Sequence, residues 1–174
     1  APDRLEAVRQ KIETGLSPDF DVLICIAGMS VGERDYVREV LAMLGVQIDF
    51  WRVAMRPGKP LAFGTRGSTL VFGLPGNPVS SLVTFELFVR PALLKLQGLE
   101  PKVPELPGVL GATLKKPAGL RLFARARAAL TGDALVATPL QSQTSGALTS
   151  AAGATHLISL PPDVTEAKAG DKVT

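Results

Sequence analysis

The spacing of apolar positions changes several times along the chain, and each change marks a predicted element. Leu5, Val8, Ile12 and Leu16 recur at helical intervals, with Pro2 suited to a first helical position, so a helix is expected up to Gly15. Val22-Leu23-Ile24-Cys25-Ile26 is an unbroken apolar run, the pattern of a strand covered on both faces. A Gly-rich loop follows over residues 27–32. Tyr36, Val37, Val40, Leu41 and Leu44 then mark one face of a second helix, closed by Gly45. Val46, Ile48 and Phe50 alternate with polar neighbours, which extends a strand to about Val53 and completes a βαβ unit.

The next stretch is punctuated by proline. Arg56-Pro57-Gly58-Lys59-Pro60 forbids a ladder and predicts a rigid loop. Two strands are expected over residues 61–64 and 69–74, joined at Gly67. After Leu74-Pro75-Gly76, Asn77 reads as an N-cap and Pro78 as the first residue of a helix carrying Val79, Leu82, Val83, Phe85, Phe88 and Val89 towards Leu96, with Gly98 as its stop. Pro91 falls inside that helix and predicts a kink near Val89 and Arg90, because its ring opposes the carbonyl of Leu87.

Beyond Pro101, Pro104 and Pro107 the period becomes two. Leu122, Ala124, Ala126, Ala128 and Leu130 occupy one face of a strand, and Arg121, Phe123, Arg125 and Arg127 the other. Further strands are expected over 134–139 and 156–160, with a polar loop at 141–146 and one helical turn at 147–152. The division that follows is an α/β domain over 1–98 with a mixed, mostly parallel sheet sandwiched by helices, a linker over 99–106, and a small β-barrel-like domain over 107–174.

Composition narrows the function classes. With 174 residues, 46% hydrophobic and 20% charged, the chain is too apolar to be disordered and has room for one domain with a small appendage. The longest apolar runs fall far short of the ~20 residues of a membrane span. The single cysteine, Cys25, cannot form an intrachain disulfide, which suits a reducing cytoplasm. A net charge of +3 suits a protein that handles anions and does not by itself indicate nucleic acid. The chain opens at Ala1 directly into a helical pattern, without a secretory leader, as expected of a piece of a longer protein.

Three loops stand at strand ends, where open α/β sheets place their ligand crevice. In the first, Gly28 and Gly32 permit close approach of a ligand, and Glu33 and Asp35 either favour a helix N-terminus or hold Mg²⁺. In the second, two prolines restrict the loop that carries Arg56 and Lys59, either as solvated charges or as an oxyanion fork and a point charge. In the third, Pro75, Gly76, Asn77 and Ser80 surround a capped helix start, a capping device or an anion site.

Taken together, the motifs Ala27-Gly28-Met29-Ser30-Val31-Gly32-Glu33-Arg34-Asp35-Tyr36, Arg56-Pro57-Gly58-Lys59-Pro60-Leu61-Ala62-Phe63-Gly64 and Leu74-Pro75-Gly76-Asn77-Pro78-Val79-Ser80 resemble the MoeA family of molybdopterin molybdenumtransferases, related to the C-terminal domain of gephyrin. Ser145-Gly146 and Ala169-Gly170-Asp171-Lys172-Val173 are similar to marks of that family's small C-terminal domain. The resemblance implies a MogA-like α/β fold and insertion of molybdate into adenylylated molybdopterin, with release of AMP in a Mg²⁺-dependent reaction. It implies Asp35 as the acidic residue at the metal or substrate site and Arg56 and Lys59 as ligands of molybdate or phosphates. Gly28, Ser30, Gly32, Gly58, Pro75, Gly76, Asn77 and Ser80 would then shape the pocket, with Ser145 contributed by the C-terminal domain. It also implies a homodimer through an N-terminal region that this chain does not carry, with the molybdopterin adenylyltransferase as a possible partner. Neither nucleic acid nor a membrane is implied. By the same resemblance the chain holds part of a site and is expected to be inactive alone. Ala27 replaces a usual glycine and Arg56 a usual lysine. Two other readings stay open: a gephyrin-like scaffold that binds a peptide, and a MogA-type adenylyltransferase.

Outside these motifs His156, Cys25 and Trp51 read as structural residues. The Arg121, Arg125 and Arg127 row reads as a solvated sheet face whose stems cover apolar surface.

Overall fold

The computed structural model describes residues 4–28, 36–146 and 151–174. In chain order its first half contains α1 (Leu5–Gly15), β1 (Val22–Ile26), α2 (Tyr36–Met43), β2 (Gln47–Phe50), β3 (Met55–Arg56), β4 (Ala62–Arg66), β5 (Thr69–Leu74), α3 (Pro78–Thr84), a π-helical turn (Phe85–Val89) and α4 (Arg90–Leu96). The second half contains β6 (Gly108–Leu110), β7 (Leu114–Lys115), β8 (Arg121–Thr131), β9 (Ala134–Pro139), β10 (His156–Leu160), β11 (Glu166–Ala167) and β12 (Lys172–Val173). These elements form two compact units, one within residues 1–53 and 58–85, the other of residues 54–57 and 86–174. No helix among the described residues is long and apolar enough to cross a membrane.

In the first unit the strand order is β1-β5-β4-β2. β1 and β5 run parallel, and β4 is antiparallel to both of its neighbours, so the sheet is mixed. β1 and β2 therefore point the same way, as a βαβ unit requires, but the β4–β5 hairpin separates them. Ile12 and Leu16 from the α1 end, Val40 and Leu41 of α2, Val46 and Val71 form the core, with Leu23, Cys25 and Ile48 packed against it. Burying an aliphatic side chain of this size stabilises by about 1.5–3 kcal/mol. Gly64, at the end of the second sequence motif, is needed for backbone contact: a Cβ there would lie 2.3 Å from the Gln47 carbonyl oxygen of the neighbouring strand. Pro91 interrupts the long helix as its chemistry demands. It has no N–H to offer Leu87, and the helix widens into the π turn just before α4 resumes.

The second unit is built on a curled half-barrel sheet of order β10-β8-β9-β6-β12, with β3 pairing parallel to β8 and β7 pairing separately with β11. Ala124 and Ala126 of β8 are fully buried with Leu110, Ala137, Ile158, Leu160, Ala167 and Val173, so the inward face of the alternating strand is the expected one. Leu130 departs from that pattern. It is 76% exposed, because β8 continues past the core into a projecting hairpin with β9. The expected helical turn at 147–152 lies mostly outside the described residues.

Candidate functional site

In the first unit the ends of β1 and β5 bring two of the predicted loops together. Ala27, directly after β1, donates its N–H to the Leu74 carbonyl at 3.1 Å. Its backbone is left-handed (φ 67°), and Gly28 continues in the same region (φ 74°). A Cβ at Gly76 would come within 3.1 Å of the Ala27 methyl, so the two loops are in close apposition at this point. Pro75 is buried, while Gly76 and Asn77 are exposed. Asn77 stands at the N-cap of α3 in extended backbone and accepts the Ser81 N–H on its carbonyl at 3.0 Å, but its side chain does not cap the helix. The Ser81 hydroxyl donates to the Pro75 carbonyl and closes the turn. Ser80 is buried and accepts the Thr84 hydroxyl on its carbonyl at 2.9 Å. Ser30, Gly32 and Asp35 lie outside the described residues, and so does Glu33.

The second loop is divided between the units. Arg56 ends β3, which pairs with β8 at Leu122, and its side chain is exposed. A cis peptide links it to Pro57. Gly58, buried with φ 105°, and the exposed Lys59 belong to the first unit, where the Lys59 carbonyl accepts the N–H groups of Val53 and Leu61, each at 3.0 Å.

The second unit corrects one reading of the sequence. The three arginines of β8 do not share a solvated face. Arg121 is exposed and donates to the Ser159 hydroxyl at 3.0 Å, and Arg127, also exposed, donates from Nε to the Gly153 carbonyl at 2.8 Å. Arg125, between them, is only 2% exposed. The polar loop at 141–146 folds over it: Arg125 Nη2 donates to the carbonyls of Ser142 at 2.9 Å and Thr144 at 3.3 Å. Its Nε and Nη1 are buried and find no partner among the described residues. Burial lowers the guanidinium pKa, yet so strong a base stays protonated at neutral pH. A buried donor left unpaired costs about 1–3 kcal/mol. The guanidinium therefore keeps a fixed positive charge beneath this loop, a charge that suits an oxyanion. Ser145, half-buried, sits in the same loop.

Among the described residues no three His, Cys, Asp or Glu side chains gather as a metal site. His156 Nδ1 lies 2.9 Å from the Thr155 hydroxyl, and Trp51 is covered by the Arg38 guanidinium at 4.9 Å from the ring centre. Both have structural surroundings.

Comparison with known proteins places the chain in a family. A family model described as a probable molybdopterin binding domain matches residues 1–95, and one described as the MoeA C-terminal region (domain IV) matches residues 107–174. The chain belongs to the MoeA family. It is 42% identical over 126 residues to a molybdopterin molybdenumtransferase of Haemophilus influenzae, covering 71% of this chain and 31% of that protein. To the protein of that name from Staphylococcus epidermidis it is 34% identical over 172 residues, covering 98% of this chain and 41% of the relative. The crystal structure of a molybdopterin biosynthesis MoeA protein from Pyrococcus horikosii superposes with a TM-score of 0.79 at 30% identity, covering 98% of this chain and 40% of that one. The chain thus spans well under half the length of these MoeA relatives. The match over residues 107–174 is to a MoeA domain, which favours the MoeA reading over the MogA-type one.

Sequence reasoning missed Arg125 and the residue that holds its backbone, Gln143. Strand alternation placed Arg125 on the outer face of the sheet correctly. Nothing in the alternation showed that a polar loop 17 to 19 residues later would cover it. The one available signal was proximity in order: Gln143 stands two residues before Ser145, within the polar loop at 141–146.

Proposed function

We propose that this chain supplies the oxyanion-binding part of a MoeA-type molybdopterin molybdenumtransferase, the enzyme that inserts molybdate into adenylylated molybdopterin with release of AMP. The observation that carries this reading is the buried, half-satisfied guanidinium of Arg125 beneath the loop that holds Ser145. Molybdate, the AMP phosphate and the pterin phosphate are all oxyanions, and a fixed cation in a water-poor site stabilises the charge that develops as a phosphoanhydride opens. In this reading Arg125 and Ser145 bind one oxyanion from the second unit. Arg56 and Lys59 supply further charge, and Gly28, Ser30, Gly32, Gly58, Pro75, Gly76, Asn77 and Ser80 give the substrate close approach to backbone.

Asp35 is the carboxylate assigned to Mg²⁺. A Mg²⁺ ion shared with substrate phosphates needs only one or two carboxylates from the protein. The intact enzyme is a cytoplasmic homodimer that receives its substrate from the molybdopterin adenylyltransferase, and its site is completed by a region beyond this chain.

The test is AMP release by the intact protein from adenylylated molybdopterin and molybdate. Asp35→Asn should abolish the Mg²⁺-dependent reaction while the circular dichroism spectrum is retained. Turnover near wild type in that variant would remove Asp35 from the site.

A further inference from the structure

β3 is two residues long, and it carries Arg56 into the second unit. It lies parallel to the first residues of β8, with Met55 opposite Arg121 and Arg56 opposite Leu122. The Arg121 N–H donates to the Ala54 carbonyl at 2.9 Å, and the Met55 side chain is buried. So short a strand fixes little by itself, and the place of Arg56 follows the place at which β8 begins. The chain that enters β8, residues 117–120, is a turn outside any strand. It is held to residues 161–165 instead: the Lys116 N–H donates to the Thr165 carbonyl at 2.9 Å, and the Gly119 N–H to the Pro162 carbonyl at 3.0 Å. The Lys116 side chain completes the tie. Its Nζ donates to the carbonyl of Leu120, the residue directly before β8, at 2.9 Å, to that of Pro162 at 3.1 Å and to that of Pro117 at 3.4 Å.

An ammonium has three donors and no acceptor, and here it meets three backbone carbonyls. Hydrogen bonds from a charged donor are stronger than those between neutral groups, so this one side chain crosslinks the entry of β8 to a turn 46 residues later. The residue after Leu120 is Arg121, whose N–H holds Ala54, so a displaced Leu120 loosens the pairing on which Arg56 depends. We infer that Lys116 is a positioning residue for Arg56, which fixes the start of β8 and thereby the short strand that presents Arg56 to a bound oxyanion. This rests on the reading of Arg56 as an oxyanion ligand. An anion that meets a side chain on anchored backbone has less freedom to remove, and that difference is what Lys116 contributes to binding. The rest of β8 is held without it, by β10 over residues 122–126 and by β9 over residues 126–131, so the sheet should survive loss of this side chain.

The experiment is a double-mutant cycle, read by isothermal titration of the intact protein with molybdate at pH 7. The proteins are the wild type, Lys116→Met, Arg56→Ala and the two substitutions together, with circular dichroism as the folding control. Lys116→Met should bind molybdate about five- to tenfold more weakly, the penalty of immobilising one long side chain on binding. In the Arg56→Ala background the same substitution should change affinity by less than about twofold, since the side chain it positions is gone. Hydrogen exchange supplies a structural readout: the Arg121 amide should exchange faster in Lys116→Met, and the amides of β9 should not. An equal loss of affinity in both backgrounds would show that Lys116 acts without Arg56, and would overturn the positioning role. An Arg121 amide as protected as in the wild type would overturn it as well. Wild-type affinity in Lys116→Met beside lost affinity in Arg56→Ala would overturn it and leave Arg56 as a ligand. Wild-type affinity in Arg56→Ala would overturn both readings. If Lys116→Met does not fold, Lys116→Gln, which keeps two donors, goes through the same cycle and is judged by the same outcomes.

Discussion

The methyl group of Ala27 faces Gly76 across two adjoining loops, at a distance that leaves 3.1 Å for any Cβ placed on the glycine. Ala27 holds this position in left-handed backbone, with φ 67°. That conformation costs an L-residue about 1–2 kcal/mol. Glycine avoids the strain and gives back about 0.5–1 kcal/mol through the greater freedom of its unfolded chain. Ala27→Gly should therefore stabilise the chain by about 0.5–1 kcal/mol, raising the melting temperature by roughly 2 °C for a protein of this size. Gly76→Ala should destabilise, and less so in the Ala27→Gly background, because the clash needs both methyl groups. Urea unfolding of the four proteins measures this coupling. Additive effects would mean that the loops move apart to accommodate the second methyl.

Gly64 makes a stricter demand than Gly76. Its missing Cβ would meet backbone, the Gln47 carbonyl, at 2.3 Å, and a strand cannot yield as the end of a side chain can. Gly64→Ala should cost about 3 kcal/mol or more, in the range reserved for overpacking and broken pairing, and should release the β2 edge first. Hydrogen exchange would show faster loss of the amides of residues 47–50 than of those in β5. Equal protection in both proteins would mean that β2 re-pairs around the added methyl.

The elements were legible in the sequence wherever one physical rule acted alone. Leu5, Val8 and Ile12 could only make one helical face, and Pro91 could only disturb the helix that contains it; both did so. The MoeA motifs likewise placed Gly28, Gly76 and Asn77 at strand ends. What escaped was set by distant chain. The insertion of the β4–β5 hairpin between β1 and β2 depends on which strands pair, and apolar spacing does not encode pairing. Arg125 looked like Arg121 and Arg127 because alternation assigns a face to a residue, whereas burial depends on what later folds over that face. The projecting Leu130 is the converse case, correct in phase but beyond the end of the core.

Cys25 offers a test of packing in the first unit. Burial pushes its thiol from the ordinary 9.0 up to about 11. The folded state thus holds a proton that the unfolded state gives up, so the contribution of this group to stability is complete below about pH 9 and declines as the pH rises towards 11. Two pKa units correspond to about 2–3 kcal/mol across that window. Cys25→Ala should lose less stability than the wild type between pH 9 and 11, as measured by urea unfolding at each pH. At pH 8 the folded wild type should also resist iodoacetamide until denaturant is added. Rapid alkylation of the folded chain would place the thiol in contact with water.

Arg125 is the residue for which stability and binding should part company. Its two bonds to the Ser142 and Thr144 carbonyls favour folding, and its two unpaired buried nitrogens oppose it. Each such term is worth about 1–3 kcal/mol, so they nearly cancel. Arg125→Met removes both and refills most of the volume with apolar atoms, an exchange that is often neutral or stabilising for a buried charge. In buffer free of oxyanions the variant should lie within about 1 kcal/mol of the wild type. Molybdate should then separate the two. A ligand at 100 times its dissociation constant stabilises by about 2.7 kcal/mol, an increment the wild type should gain and the variant should not. Thermal unfolding with and without molybdate reads both quantities at once. A loss of more than about 3 kcal/mol in the absence of molybdate, the mark of a broken buried network, would show that the guanidinium is there to hold the loop. A variant that is stable but unresponsive would show that the protein keeps a half-satisfied cation folded for the sake of the anion that completes it.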